Sequence, residues 1–380
     1  MGKRELVLVL VFIVAGAVVY QVTAPPLAPG QEGFSVGRLI QHFKQAVHGR
    51  PIHASVQTAR TDPADASTTE LRVNVPALDL TVVGEDRTDV ASQLTIDSNG
   101  IDEQEAQQLA KATTLLVERA GAGLVMTVHF PREGRQRGAL AVRVPKRLLV
   151  RIENENRSGK LDVQHVASVD VRSNRGEARL SDIDGEISLT HRAGPLNIAR
   201  AGSVRLTVSG ADAHVSDIRG RASIETNGSN LELANVRGPI DVKSRGADIT
   251  LRNIADLEPP LRLDMQAGRL DIDGLRTETR VDARNTKIRI AVARAVPITV
   301  YNTADDITIV PAPGGYTLDA ITSDGELSLD DAHDGGLAVA KAAGEREQRA
   351  SGPVHGGGPA ITLRNRGGDI SIRTREEKDK

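Results

Sequence analysis

The chain has 380 residues, a formal net charge of −2, 2% aromatic residues, and neither cysteine nor tryptophan. The missing cysteines exclude disulfides, thiol catalysis, cysteine–zinc sites and a lipoprotein anchor. The balanced charge argues against nucleic acid as a partner. This length suits a fold that grows in one dimension better than a single globule.

Lys3 and Arg4 precede an apolar run, residues 6–22, in which Gln21 is the one strongly polar side chain. At 1.5 Å per residue the run reaches ~25 Å, near the short end of a bilayer span. It predicts an uncleaved transmembrane signal anchor over 1–23. A cleaved signal peptide is the competing reading: Ala15-Gly16-Ala17 and Val22-Thr23-Ala24 have the small-x-small form, the second followed by Pro25. In both readings Lys3 and Arg4 stay inside and the remainder is exported. The expected arrangement is therefore a single pass through a membrane with the C-terminal domain exported. Residues 24–67, rich in Pro, Gly, Ala and Thr, are expected to form a tether. Within it Leu39, Ile40, Phe43 and Val47 fall at helical spacing. They suit either a membrane-surface helix or a cap on the open end of a solenoid.

Apolar and polar residues alternate at Leu71, Val73 and Val75, then at Leu78, Leu80 and Val82, with Gly84 as a turn. Residues 102–116 break that period. Asp102 can cap a helix with Glu105 three residues on, and Ala106, Leu109, Ala110, Thr113 and Leu116 form an i, i+3, i+4 stripe. One helix lying on the first coils is expected here. Residues 125–130 and 140–144 return to strand patterning, joined by a basic, Gly-rich stretch, 131–138, and 148–152 lead into the repeats.

From 168 to 329 one pattern recurs roughly every eighteen residues, in copies such as SVDVRSNRGEARLSDIDG and SVRLTVSGADAHVSDIRG. Each copy holds two alternating runs separated by turn chemistry such as Asn227-Gly228-Ser229. The apolar positions recur in step. Ile187/Leu189, Val204/Leu206, Ile240/Val242 and Leu261/Leu263 share one slot; Leu196/Ile198, Val215, Leu231/Leu233, Ile249/Leu251 and Leu270/Ile272 share the next. A hairpin meander does not require such recurrence, whereas stacking equal slots at ~4.8 Å builds a continuous apolar column. The expected fold is all-β, a right-handed parallel β-solenoid (β-helix). The second run closes on Ser-Asp-Ile-Asp-Gly at 181–185, Ser-Asp-Ile-Arg-Gly at 216–220 and Ala-Asn-Val-Arg-Gly at 234–238. Ile183, Ile218 and Val236 are expected to plug a corner. The Asx is expected to bond its own backbone, and the Gly to supply positive φ or room for a crowded backbone. Residues 331–359, rich in Gly, Ala, Arg and Glu, are expected as a flexible insertion. Residues 361–372 then close the coil, and 375–380 form a charged tail that discourages further strand stacking.

The repeated unit of strand, Ser/Asn-Gly turn, strand and Asx-Ile/Val-x-Gly resembles the bacterial putative-adhesin family, β-solenoid domains of unknown function found in bacterial envelope proteins. The resemblance extends from about Thr68 to Thr374, so the solenoid domain is placed at 68–374. It implies a fold and no catalytic residues, and with the apolar run it implies a compartment: a bacterial inner (cytoplasmic) membrane, crossed once, with the C-terminal domain in the periplasm or at the cell exterior.

The motifs of chemistry are sparse. Gly314-Gly315 and Gly356-Gly357-Gly358 lack the Lys-Ser/Thr of a phosphate loop and are expected as flexible turns. The segments 182–185 and 271–274 begin like calcium loops but do not continue as such, because Ile187 stands where a glycine is needed. His165, His191 and His214 fall in different slots, so no metal site is expected. Outward carboxylates are available at Asp170, Glu225, Asp241, Asp264 and Asp282, of which Glu225, Asp241 and Asp264 form the best cluster for a polysaccharide-cleaving enzyme. Arg172, Arg205, Lys243, Arg262 and Arg280 stand among them, which reads instead as ion pairs on a solvated sheet. No catalytic, cofactor-binding or metal residues are therefore assigned. The expected function is a membrane-anchored, non-catalytic envelope scaffold or adhesin-like surface with an envelope-protein partner or self-association. A polysaccharide-binding or polysaccharide-cleaving protein is the alternative.

Overall fold

The computed structural model describes residues 52–373, apart from 76–77, 101, 132–135, 155–158, 255–260, 331–336 and 342–345. The anchor expected at 1–23, the tether up to residue 51 with its helix, and the 375–380 tail lie outside the described residues. Among the described residues no helix is long and apolar enough to cross a membrane. The end of the expected tether is not irregular: Ile52–Pro63 is a β-strand, consistent with the β-branched Ile52, Val56, Thr58 and Thr61 within it.

The chain divides into two compact units, one comprising residues up to 56 with 96–113 and 130–136, the other 57–95, 114–129 and 137–380. In the first, Glu103–Lys111 is a helix, α1, whose N-cap Asp102 accepts a hydrogen bond from the Glu105 backbone N–H at 2.8 Å. Ala106, Leu109 and Ala110 are its buried stripe. The Gln136 side-chain amide donates to the Leu109 carbonyl at 2.7 Å and to the Thr113 hydroxyl at 3.1 Å, closing the C-terminal end. The apolar stripe was expected to run on to Leu116. Instead the helix stops at Lys111, and Leu116, 50% exposed, belongs to the strand Thr114–Ala120.

The larger unit is a stack of rungs. Each rung has one strand in each of two parallel sheets, and successive rungs pair residue against residue. Val169 lies beside Ile187, Ile187 beside Val204, Val204 beside Ala222 and Ala222 beside Ile240. In the second sheet Leu180 is followed by Ile198, Val215, Leu233 and Leu251. These are the slots that the sequence sets in step. Their side chains are between 0% and 2% exposed, so each rung buries its apolar pairs against identical pairs above and below.

At both ends the spatial order departs from the chain order. The strand Glu70–Asn74 lies between Gly123–His129 and Leu149–Asn154, so the first rung in sequence is not the outermost. Thr114–Ala120 then pairs antiparallel with Gly123–His129 and covers that edge. At the other end residues 360–372 do not close the coil. Ala360–Arg366 is inserted between Ile298–Thr303 and Tyr316–Ser323, and Ile370–Ile372 between Ile307–Val310 and Leu327–Leu329. The outer face of Tyr316–Ser323 is covered by an antiparallel strand, Glu347–Val354, with Ala340–Lys341 beside it. The flexible insertion expected over 331–359 thus contains strands, with Ala350 and Val354 buried at 1% and 0% exposure. Two antiparallel strands therefore seal the two outermost parallel edges of this sheet.

The glycine pairs read as flexible turns have a packing role. Residues 355–359 carry the chain from Glu347–Val354, on one side of Tyr316–Ser323, to Ala360–Arg366 on the other. A Cβ at Gly315 would sit 2.2 Å from the Gly357 carbonyl oxygen, and one at Gly358 would sit 2.3 Å from that of Gly315. Backbone crosses backbone there, and no side chain fits.

A third interior column is polar. Asn302 donates through its side-chain amide to the carbonyls of Thr286 and Asp305, both at 2.9 Å, and Asn365 donates to Asp305 at 2.8 Å. His191 occupies this column beside Val208 and is 1% exposed. Its Nε2 bonds the Gly194 carbonyl at 3.1 Å, while its Nδ1 is buried without a partner. Burial holds its pKa below the ordinary value of 6.5. The unfolded chain takes up the proton near that value and the folded chain does not. The imidazole therefore leaves stability unaffected above pH 6.5 and lowers it as pH falls below 6.5. His191→Val, matching the next rung, is expected to raise stability by about 1 kcal/mol and to reduce the loss of melting temperature between pH 7.5 and 5.5. An unchanged pH dependence would exclude His191 as its source.

Candidate functional site

The corner that follows the second sheet runs as a ladder along the stack. The Asx of each motif is the residue with left-handed backbone: Asp182, Asp217, Asn235 and Asn253 have φ of 57°, 59°, 55° and 52°. Asp and Asn tolerate this region better than other side chains. His165 and Arg200 occupy the same place in their rungs, at 58° and 55°. The following Ile183, Ile218 and Val236 are buried at 0% exposure and plug the corner. The motif glycines Gly185, Gly202, Gly220 and Gly238 do not carry the positive φ. They are required by close approach: a Cβ at Gly238 would lie 2.2 Å from the Gly220 carbonyl, and one at Gly220 2.7 Å from that of Gly202.

Because the corner recurs every rung, its side chains meet across rungs. Arg200 donates to both oxygens of Asp182 at 2.6 and 2.7 Å, a bidentate pair between residues eighteen apart. This bonding holds the Asp182 carboxyl below its ordinary pKa and Arg200 above its own. Asn235 donates to Asp217 at 3.0 Å. Arg219 donates to the Asp184 carbonyl at 3.0 Å and stands 3.7 Å from its carboxylate. These residues, with Lys146, His165, Arg237 and Asn253, line a groove of about 780 Å³. Arg237 is exposed and has no ion-pair partner among the described residues. The groove presents carboxylates, guanidinium groups and amides in a row.

The acidic cluster singled out in the sequence is divided. Glu225 lies beside Lys243, and Lys243 beside Asp264, in one column of the first sheet's outer face. Asp241 stands in the adjacent column beside Arg262. Glu225 and Asp264 are thus two strand spacings apart, roughly 9.6 Å, with a lysine between them. They line a shallower hollow of about 350 Å³ with Thr207, Asn227, Arg245 and Gln266. Asp170 stands 3.8 Å from Arg151, and Asp282 accepts from Arg280 at 2.8 Å, with that guanidinium 5.5 Å from the centre of the Tyr301 ring. Cations alternate with these carboxylates along the columns, as on a solvated charged sheet, and ion pairs within 4 Å form at Asp170 and Asp282. Exchanging the two charges, E225K with K243E, is expected to leave stability within about 0.5 kcal/mol of the wild type, while E225K alone sets like charges side by side and costs about 1 kcal/mol. Denaturant midpoints of the three proteins check this.

The other residues considered for chemistry have structural partners. Asp271 accepts from Arg289 at 2.8 Å, and His214 bonds Glu232 at 3.0 Å, which also pairs with Arg252 at 2.9 Å. His165 lines the corner groove and His191 is interior, so the three histidines fall in three different settings. Among the described residues no three His, Asp or Glu converge as a metal site. Of the groove residues, Arg200 was not distinguished in the sequence, and Arg219, Asn235 and Arg237 were read there only as parts of the corner motif. The signal was present in the eighteen-residue recurrence of the Asx position, which local turn chemistry alone explains equally well.

The family model described as Toastrack DUF4097 matches residues 68–373. The chain belongs to this family. The Toastrack region covers the rungs from Glu70–Asn74 onward and begins where the resemblance read from the repeats begins. Solved structures with a similar outline include a putative cell adhesion protein from Clostridium sporogenes, at 7% identity and a TM-score of 0.21, covering 84% of this chain and 100% of its own. A putative adhesin from Parabacteroides distasonis shows 11% identity and a TM-score of 0.29, with 84% and 97% covered. A putative lipid binding protein from the same species shows 12% identity and a TM-score of 0.24, with 86% and 97% covered. No curated protein matches the chain.

Proposed function

We propose that this chain is a membrane-anchored, exported and non-catalytic scaffold whose Toastrack solenoid engages an envelope protein along the corner groove. The observation that carries the reading is the groove itself. Its charges are held in place by cross-rung bonds, as in Arg200 on Asp182, and Arg237 stands beside them without a counter-ion among the described residues. A rigid row of this kind loses little side-chain entropy on binding and gives electrostatic register to an acidic or mixed-charge segment. The apolar run at 6–22 would serve as the single-pass anchor in a bacterial inner membrane, with Lys3 and Arg4 inside. The coil is taken as right-handed, the sense of nearly all parallel strand crossovers. Adhesin-like surface binding is the same reading with the partner on another cell.

The test uses full-length protein in its native membrane. The double variant Arg219→Glu, Arg237→Glu should keep the wild-type melting temperature within a few degrees and lose a partner that co-purifies with the wild type. A partner retained by the folded variant would sink the groove as its docking surface.

A further inference from the structure

The slot filled by residues 360–372 is a strand-acceptor site. Its walls are Ile298–Thr303 with Ile307–Val310 on one side and Tyr316–Ser323 with Leu327–Leu329 on the other. These walls are consecutive in the chain, joined by residues 311–315, and both precede the strand that separates them. The inserted segment pairs with both walls at once: Leu363 lies beside Val300 and Ala320, and Ile370 beside Ile307 and Leu327. Its apolar side chains Ile361, Leu363, Ile370 and Ile372 are at most 3% exposed.

The slot is also keyed to this sequence. Asn365 donates to the Asp305 carbonyl at 2.8 Å, the Thr322 hydroxyl to the Gly368 carbonyl at 2.7 Å, and the Glu326 backbone N–H to Asp369 at 2.8 Å. The Arg364 guanidinium bonds Asp319. A Cβ at Gly368 would meet the Asp305 carbonyl at 2.2 Å. An occupant therefore needs alternating apolar residues, then Asn, two residues on a Gly-Gly step, and Asp. Another copy of this chain carries that sequence.

The link into the slot is a tight one. His355, Gly356 and Gly357 all hold positive φ, at 48°, 87° and 81°, in the crossover that turns the chain back over Tyr316. Extending this link would relieve the turn and carry the strand away from its own slot, while every contact in the slot could be re-formed in another molecule. Exchange under these conditions is governed by the link and by concentration, since the strand contacts cancel. We propose that the slot takes the 360–372 segment of a second copy, giving a strand-exchanged dimer in which each chain completes the other. The proposal stands apart from the groove, and its failure would leave the docking reading untouched.

The chain has no cysteine, so introduced thiols report without background. Thr299 and Thr362 are register neighbours on the outer face of the first sheet. Two full-length copies with different tags, one T299C and the other T362C, are co-expressed and oxidised. The expected result is a disulfide-linked heterodimer, absent when T299C is paired with T250C, whose site lies in the other sheet. Removing Gly356 and Gly357, which shortens the crossover, should raise the heterodimer fraction several-fold. The proposal is overturned if T299C/T362C on one chain closes its own disulfide while no heterodimer forms at any concentration, with or without the deletion.

Discussion

Replacing Leu363 by Ala is expected to cost about 2–5 kcal/mol, the range for truncating a fully buried leucine, and to loosen three segments together. Leu363 is 0% exposed and lies between Val300 and Ala320. In a solenoid each rung is supported by its neighbours, and the strand pairing of Tyr316–Ser323 and Leu327–Leu329 to the rest of the stack passes through the inserted segment. Hydrogen exchange should therefore show protection falling over 316–329 and 347–354 as well as over 360–372, while 186–252 keep theirs. If 360–372 formed the outermost rung, as chain order suggests, its loss would leave 316–329 protected. Retained protection at 316–329 would contradict the inserted order.

The second large effect is expected at the corner. Gly238→Val should destabilise by about 3 kcal/mol or more, because its Cβ would overlap backbone that cannot rotate away. The nearest atoms are the Gly220 carbonyl carbon and oxygen, each at 2.2 Å. Gly228→Ala provides the contrast. Gly228 has φ of 60° and nothing within 4 Å of its Cβ position, so its cost is the backbone strain alone, about 1 kcal/mol. The shift in the chemical unfolding midpoint should be clearly larger for Gly238→Val than for Gly228→Ala. Equal shifts would show that the corner glycines are not a stacked column.

These two positions also mark what a sequence of this kind reveals and what it withholds. The slots were legible because each apolar pair recurs at one spacing, and Ile187, Val204, Ala222 and Ile240 do lie side by side. Spacing says which residues share a slot. It does not say which rung is next to which, because Ile361 and Leu363 fit beside any rung of the stack. Hence the inserted strand, and the placing of Gly123–His129 outside Glu70–Asn74, were invisible. The corner motif was legible as a corner; of the two roles open to its glycine the structure shows the crowding, and the left-handed backbone falls on the Asx. Either assignment satisfies local turn chemistry; the distinction depends on the rung below. Leu116 matched a helical stripe, and pairing with Thr127 on the hairpin puts it in a strand instead. Residues 347–354 carry the composition of a flexible stretch, and the strand there is supplied by its partner, Tyr316–Ser323.

The site followed the same division. The candidate carboxylates were correctly read as outward, but their neighbours set their meaning. Lys243 stands between Glu225 and Asp264 in one column, so the two carboxylates are not register neighbours. The groove became visible once Arg200 was set on Asp182 and Arg219 near Asp184 across successive rungs. The groove is made by concavity and cross-rung charge pairs, neither of which a linear motif expresses.

The most direct measurement is site-specific photo-crosslinking in the native membrane, with a photoreactive side chain at Arg237 in the corner groove or at Arg284 on the outer face of the first sheet. A single discrete adduct from Arg237, with none from Arg284, is the predicted result and would identify the partner in the same step. Equal labelling from both positions, or a protein that stays free of adducts at Arg237, would contradict the groove as the working surface of this chain.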